Sequence, residues 1–273
     1  MWRPTVSKAE GRVEVVGFAL KGLGSAFIEE LVRSERVRVK HIYTRKEPYD
    51  FIYYDCEDVE TLCARHGIPW SYIPETGSWD VVPAELGIIG SFHRILRAEH
   101  LRNFKTVVNI HPSLLPAHRG RTPTVWTVMN GETITGVSAH LVNEQIDDGR
   151  LILQESLLNP HLSDADLRRA LAFFQRKLIR RLLEEYPDFA AVESGAAHSY
   201  DPVRDPKAAV LDFDKIPDVE SLVRHIKAWT NFPMPRIRTA AGRIFIIDYD
   251  QPQDTLEVET EGRKFNLLGR WES

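Results

Sequence analysis

Apolar and polar positions in the first half of the chain switch repeatedly between strand-like and helix-like spacing. Strands are predicted at residues 13–18, 37–44, 86–90 and 106–110. Helices are predicted after Gly24, at residues 56–66 with Asp55 as the capping residue, at 122–130, and from Ser163 to just before Pro187. The interleaving predicts an α/β fold with a doubly wound, mainly parallel, Rossmann-like sheet.

The pattern breaks at residues 201–206, where two prolines and three charged residues occur together. We therefore predict a larger first domain over residues 1–200 and a small C-terminal appendage over residues 201–273. The appendage contains one helical pattern near residues 218–229, and then alternating segments at 236–239, 243–248 and 256–260. These segments predict a small antiparallel β structure beside one helix.

Composition narrows the class of protein. The 273 residues are 43% hydrophobic and 27% charged, which is enough apolar material for a substantial core. A net charge of −4 and a pI near 6.2 provide no general attraction to nucleic acid or to anionic membranes. No apolar run approaches the ~20 residues of a membrane span, and the first residues lack the apolar segment of a signal peptide. With only Cys56 and Cys63 present, we expect a reducing, cytoplasmic location and no disulfide framework.

A glycine-containing loop after the first strand imitates a dinucleotide-binding fingerprint. Gly22 and Gly24 have the first part of the G-x-G-x-x-G spacing, but Phe27 stands where the third glycine belongs. We therefore predict a tight strand-to-helix turn here rather than a nucleotide site.

The candidate chemistry lies at the end of the fourth predicted strand. Asn109 and His111 are two residues apart on an extended segment and so point to the same side, at the sheet edge where such folds bind ligands. Pro112 and Pro116 restrict the loop that follows. An amide donor beside an imidazole suits acyl transfer, and a distant aspartate could orient the imidazole. Taken alone, such a pair is more often a loop cap with a core histidine than a catalytic site.

Other reaction classes find less support in the sequence. The histidines show neither H-x-x-x-H spacing nor paired cysteines, so we expect no metal. A serine hydrolase would need a G-x-S-x-G elbow, which the sequence lacks. Asp147-Asp148-Gly149 by itself is typical of a turn.

An ordered series of motifs, spread over residues 13–154, resembles the formyltransferases that use 10-formyltetrahydrofolate. That family includes glycinamide ribonucleotide, methionyl-tRNA and sugar N-formyltransferases. The matching residues are Asn109, His111, Pro112, Ser113, Leu114, Leu115, Pro116, Arg119, Gly120, Gly131, Glu132, Thr135, Gly136, Val137, Asp147 and Gly149. The resemblance implies 10-formyltetrahydrofolate as co-substrate and Asn109, His111 and Asp147 as catalytic residues.

The same resemblance implies a pterin pocket with two walls. The first wall follows the strand at residues 86–90, and the second wall precedes and includes part of the Asp147 loop. The implied contact residues are Phe92, His93, Arg94, Ile95 and Leu96 on the first wall, and Val142, Asn143, Glu144 and Asp148 on the second. Arg94 alone would be typical of a solvated helix residue, and Ser91-Phe92-His93 departs from the family pattern at the pocket entrance.

The implied mechanism is attack of a neutral amine on the formyl carbon. Asn109 and a protonated His111 would stabilise the developing oxyanion, and Asp147 would hold His111. Whether His111 or Asp147 is the working base stays open at this stage.

The acceptor is predicted from the appendage. Residues 201–273 contain eleven Lys/Arg and thirteen Asp/Glu, a net charge of −2, whereas a tRNA-binding appendage should be basic. The tail resembles that of sugar N-formyltransferases, which implies a nucleotide-linked amino-deoxysugar, as in lipopolysaccharide O-antigen, and a homodimer. Candidate contacts are Arg119 and Arg121 for phosphate, and Trp229, Phe232 and Tyr249 for the base. Alternatives are methionyl-tRNA, a small amine such as hydroxyornithine, and a non-catalytic folate or nucleotide sensor.

Overall fold

In the computed structural model, the described residues are 11–46, 56–195, 200–201, 209–230, 234–249 and 251–272. They form a seven-stranded sheet flanked by helices, and a smaller five-stranded sheet. The first part of the chain contains β1 (Val13–Ala19), α1 (Leu23–Arg33), β2 (Val37–Thr44), α2 (Val59–Arg65), β3 (Trp70–Tyr72), β4 (Ala84–Gly90), α3 (Ala98–Leu101) and β5 (Phe104–His111). It continues with β6 (Arg119–Gly120), α4 (Pro123–Met129), β7 (Ile134–Leu141), β8 (Leu151–Leu158) and α5 (Asp164–Glu185).

The large sheet has the strand order β3-β2-β1-β4-β5-β7-β8. Its first five strands are parallel, while β7 runs antiparallel to β5 and β8 antiparallel to β7. The predicted fold class, a mainly parallel α/β sheet, is therefore confirmed. β7 and β8 were not predicted as strands, although part of β7 was noted as a motif.

Each face of this sheet is covered by an apolar core. One core packs the sheet against α1, α4 and α5 and includes Phe27, Ile88 and Leu171. The other core is aromatic and includes Phe18 and Tyr43, whose rings stack at 5.4 Å. A strand covered on both faces must be apolar at nearly every position, which explains the continuous apolar runs of β1, β4 and β5.

Two local predictions have different outcomes. The tight turn after β1 is confirmed, since Gly22 has a φ of 92° and a Cβ on Gly24 would lie 3.0 Å from the carbonyl oxygen of Gly90. The predicted helix over 56–66 is too long: α2 begins at Val59, because the Asp58 carboxylate accepts a hydrogen bond from the Thr61 amide at 2.8 Å. Asp55 lies outside the described residues.

The C-terminal part contains β9 (Tyr200–Asp201), β10 (Val210–Asp212), α6 (Val219–Ala228), β11 (Arg236–Arg238), β12 (Ile244–Ile247), β13 (Asp254–Thr260) and β14 (Arg263–Trp271). Its sheet has the order β10-β11-β12-β14-β13, antiparallel except for the β10–β11 pair. The sequence patterns missed β10 and β14. α6 joins two cores, because Leu222 packs in the small one while Ala228 and Trp229 pack in the large one. The domain division at residue 200 stays a prediction.

Candidate active site

The carboxyl end of β5 carries the two side chains around which the site is built. Asn109 and His111 lie within the last three residues of β5. At this point β5 pairs with β7, and His140 of β7 is the residue directly opposite Asn109. Since residues two apart on a strand share a face, the amide and the imidazole lie side by side. His111 is 4% exposed, so its ring is almost completely shielded from bulk water.

Asp147 reaches this edge from the loop between β7 and β8. The loop is closed at its base by a hydrogen bond from the Leu141 amide to the Arg150 carbonyl, 2.9 Å long. Asp147 itself has a φ of 50°, a left-handed conformation that aspartate tolerates better than most residues. Glycine is required two residues later, at position 149, because a Cβ there would lie 1.6 Å from the Leu141 carbonyl oxygen. The Asp-x-Gly motif is thus a backbone requirement as well as a source of a carboxylate.

The Asp147 carboxylate is the centre of the cluster. Its Oδ1 accepts from the Asn109 Nδ2 at 2.9 Å and lies 3.3 Å from His140 Nε2. Its Oδ2 accepts from the Gly120 amide at 2.9 Å and lies 3.4 Å from His111 Nδ1. The structure therefore brings together the three residues predicted as catalytic, and it adds His140 and the Gly120 amide.

Charge in this cluster is set by burial and by these contacts. Burial by itself would raise the pKa of Asp147, but the His111 ring, His140 and the Gly120 amide outweigh it and hold that pKa well below its usual range. Burial lowers the pKa of His111, and the Asp147 carboxylate opposes this effect only in part. Asp147 is therefore ionised near pH 7, while burial disfavours the protonated form of His111. The expectation that a protonated His111 stabilises the oxyanion during the reaction stays a prediction.

The hydrogen-bond partners of the His111 and His140 rings indicate which ring nitrogen carries the proton. His111 Nε2 lies 2.8 Å from the carbonyl oxygen of His118, so this nitrogen carries the proton and Nδ1 has a free lone pair. His140 Nδ1 donates to the Leu141 carbonyl at 2.9 Å, which leaves its Nε2 to accept from Asn109 Nδ2 at 3.1 Å. Both amide hydrogens of Asn109 thus have partners, one in the Asp147 carboxylate and one in the His140 ring.

The two segments predicted as pterin walls follow β4 and β7, and their role as walls stays a prediction. On the first, Phe92 and Leu96 pack in the aromatic core, while Ile95 is 59% exposed. Arg94 donates to the carbonyl oxygens of Pro74 and Gly77, at 2.6 and 2.9 Å. The ring nitrogens of His93 have no hydrogen-bond partner within the described part of the chain.

The second wall is the loop that ends in Asp147 and Asp148. It hydrogen-bonds to β5 through the Val142 amide, and the Asn143 side chain accepts from the Gln145 amide. Ile146 is 39% exposed, so each wall presents one large apolar side chain to solvent. Glu144 is exposed, and Asp148 pairs with Arg119.

Two of the residues predicted to contact the acceptor, Arg119 and Trp229, are buried. Arg119 is 8% exposed and binds Asp148, Ser194 and the Gly195 carbonyl, so its side chain anchors the loop rather than facing a ligand. Trp229 is 1% exposed within the large core, which corrects its assignment to a base-binding wall. Arg121 and Tyr249 are exposed, and Phe232 lies outside the described residues.

Sequence reasoning missed His140, His118 and the Gly120 amide. His140 could be found only through strand pairing, because it lies opposite Asn109 where β7 pairs with β5. It was missed because β7 was not predicted as a strand. The Gly120 amide and the His118 carbonyl are backbone groups, which side-chain patterns do not mark.

Comparison with known proteins gives a consistent result. Residues 76–183 match the family model described as formyl transferase. The methionyl-tRNA formyltransferase of Clostridioides difficile is 30% identical over 148 residues, covering 52% of this chain and 48% of that protein. The GDP-perosamine N-formyltransferase of Brucella melitensis is 40% identical over 79 residues, covering 29% of each chain. This chain thus matches about half the length of the first relative and under a third of the second.

Among solved structures, a sugar 3N-formyl transferase crystallised with dTDP and 5-N-formyl-tetrahydrofolate superposes with a TM-score of 0.68. The two sequences are 14% identical, and the superposition covers 95% of each chain. At that identity the likeness concerns the fold, and it extends through the C-terminal appendage. No helix in the described ranges is long and apolar enough to cross a membrane.

Proposed function

We propose that this chain, which carries a formyl transferase domain at residues 76–183, moves the formyl group of 10-formyltetrahydrofolate onto the primary amine of a nucleotide-linked amino-deoxysugar. The observation that carries the proposal is the ionised, buried Asp147 in contact with Asn109 and His111 at the carboxyl edge of the sheet. A carboxylate, an imidazole and an amide donor at one point suit acyl transfer to an amine. A sensor would have no use for a buried charge of this kind, and any turnover would dismiss that alternative.

His111 is the group that we assign to proton transfer. Its Nδ1 lone pair is free because Nε2 donates to the His118 carbonyl. As the amine nitrogen bonds to the formyl carbon, its proton passes to Nδ1, and the resulting imidazolium is stabilised by Asp147 at 3.4 Å. The same proton then goes to the folate nitrogen as the bond from that nitrogen to the formyl carbon breaks, so His111 ends neutral.

Asn109 is assigned to the charge that develops on the formyl oxygen. One amide hydrogen is bound to the Asp147 carboxylate at 2.9 Å, while the other faces His140 Nε2 at 3.1 Å. A hydrogen bond to a carboxylate is stronger than one to a ring nitrogen, so the second hydrogen is the one that a ligand can take. Losing such a donor typically raises the barrier by about 3–4 kcal/mol.

The residues present fit a folate. It supplies the formyl carbon, and the exposed Ile95 and Ile146 provide apolar contact for a flat ring from two separate segments. The loop at residues 142–148 offers backbone groups for polar contact, as is usual where a ligand is held by a loop on a rigid sheet.

Two observations support a sugar nucleotide as the acceptor: the net charge of the C-terminal appendage and the substrates of similar proteins. Residues 201–273 have a net charge of −2, which is unfavourable for the many phosphate contacts of a tRNA. One relative acts on GDP-perosamine, and a solved neighbour is a sugar formyl transferase. Arg121 is our candidate for one phosphate contact, because it is exposed and follows Gly120, whose amide donates to Asp147. Methionyl-tRNA is the second candidate because of the 30% identical relative.

A parallel assay tests the proposal. The protein and 10-formyltetrahydrofolate are incubated with GDP-, UDP- and dTDP-linked 3- and 4-amino-6-deoxyhexoses, with methionyl-tRNA and with hydroxyornithine, and formylated product is detected by mass spectrometry. Asp147→Asn serves as the inactive control. We expect at least one sugar nucleotide to have the highest kcat/KM. Faster formylation of the tRNA, with the steep salt dependence of phosphate contacts, would reassign the acceptor.

A further inference from the structure

The orientation of His111 depends on a backbone carbonyl, not on a side chain. That carbonyl belongs to His118 and lies 2.8 Å from His111 Nε2. The competing partner is the Asp147 carboxylate at 3.4 Å from Nδ1, which would attract a proton to the opposite side of the ring. Which nitrogen of a neutral His111 carries the proton is therefore decided by how well the 118 carbonyl is held.

His118 is held in an unusual backbone conformation. Its φ is 54°, in the left-handed region that non-glycine residues seldom occupy and that persists only when the surroundings enforce it. Its ring is 3% exposed, and His118 Nε2 lies 2.6 Å from Glu132 Oε1. This contact is short and charge-assisted, so it is among the stronger interactions available to the loop.

Glu132 is itself well anchored by its backbone. Its amide donates to the Thr127 carbonyl at 3.1 Å, and its carbonyl accepts from Asn159 Nδ2 at 2.8 Å. The Glu132 side chain, which is 32% exposed, is therefore a stationary partner for His118. Replacing only that side chain leaves both backbone contacts in place.

We propose that His118 and Glu132 form a positioning pair, which holds the 118 carbonyl against His111 and so keeps the His111 proton on Nε2. The inference rests on the proposed function, in which Nδ1 must be free to accept the amine proton. Neither residue contacts the reacting atoms. The charged or titratable groups that face His111 are Asp147, His118 and His140, and of these it is His118 that pairs with Glu132.

The test combines the tautomer of His111 with kinetics. With ring-¹⁵N-labelled histidine, two-bond ¹H–¹⁵N correlation spectra distinguish Nε2–H from Nδ1–H, and a His111→Gln variant assigns the signals. For Glu132→Ala we expect a measurable Nδ1–H population and a fall in kcat of at least roughly tenfold, about 1.4 kcal/mol. KM for donor and acceptor should change by less than about twofold, since substrate contacts are retained. Glu132→Gln, whose amide oxygen can still accept from His118, should restore most of the wild-type tautomer and rate.

Glu155→Ala is the matched control, because Glu155 makes a similar 2.7 Å pair with Lys177 on β8 and α5, outside the predicted site. It should leave tautomer, kcat and KM at wild-type values. An unchanged tautomer in Glu132→Ala would overturn the proposal, whether or not activity falls. If Glu132→Ala fails to fold, His118→Asn replaces it, since asparagine tolerates a positive φ but is too short to reach Glu132. Because the tautomer is read without substrate, a protein with no formyl transfer activity would disprove the proposed function and still report on the pair.

Discussion

Asp147 is constrained both by the contacts of its carboxylate and by the conformation of its backbone. Its carboxylate contacts Asn109, His111, His140 and the Gly120 amide, and its backbone adopts a φ of 50° two residues before a glycine that no larger residue can replace. The low pKa of this buried group follows from those contacts. These contacts support the proposed role of Asp147, which is to orient His111 and to stabilise its charged form.

Removing any member of the catalytic trio should therefore affect the others. We expect Asn109→Ala, His111→Ala and Asp147→Asn each to lower kcat/KM by well over tenfold, more than about 1.4 kcal/mol. The double variants should lose far less than the sum of the single losses, because the three act as a unit. Steady-state kinetics with the best acceptor provides the measurement, with exposed Asp188→Asn as control. Retention of more than about a tenth of wild-type kcat/KM by His111→Ala would be inconsistent with its assigned role.

At the scale of secondary-structure elements, the candidate site is formed by one strand end and by loops attached to the large sheet. β5 supplies two of the side chains predicted to be catalytic, and the loops after β4 and β7 supply the predicted pterin walls. The antiparallel insertion of β7 next to β5 places His140 beside Asn109 and returns the Asp147 loop to the carboxyl edge. Loops anchored in this way can vary in sequence without moving the catalytic residues.

The pterin walls can be tested by making one of them charged. Ile95→Asp should weaken binding of a non-reactive folate analogue by at least roughly tenfold, because a carboxylate would replace apolar contact. Val192→Asp is the control, since Val192 is similarly exposed, at 63%, and belongs to neither wall. Isothermal titration measures both affinities. Equal affinities for wild type and Ile95→Asp would place the pterin elsewhere.

On the scale of the whole molecule, four histidines among the described residues have lowered pKa values. Burial is the first cause in each case, for the half-buried His41 and His93 and for the buried His111 and His225. For His93, burial together with the charges of Arg45, Arg121 and Arg94 lowers the pKa from 6.5 to about 4. The folded protein thus keeps these rings neutral under conditions in which an unfolded chain would protonate them.

The folded state should consequently lose stability in mild acid. Between about pH 6.5 and about pH 4 the unfolded state binds more protons, so the free energy of unfolding falls as pH falls through that range. His93→Phe removes one such group without removing any hydrogen bond seen among the described residues. Urea unfolding at several pH values should show a shallower pH dependence for this variant than for wild type. Parallel curves for the two proteins would mean that His93 is not protonated on unfolding in this range.

Much of this molecule could be predicted from local patterns. Buried parallel strands are apolar at nearly every position, so β1, β4 and β5 were predicted from their runs, and Ser163 marked the start of α5 through its capping hydrogen bond. Asn109, His111 and Asp147 were predicted as catalytic residues, because they belong to the ordered motif that resembles the formyltransferases. The resemblance to formyl transferases is confirmed by the match at residues 76–183.

Contacts between distant segments were decided only in three dimensions. Strand pairing set His140 beside Asn109, and burial turned Arg119 and Trp229 from candidate ligand contacts into an anchor and a core residue. The proton position on His111 depends on a carbonyl seven residues away and on a glutamate in another loop. Sequence spacing carries no record of such contacts, because a hydrogen bond to a backbone group constrains the position of a residue more than its type.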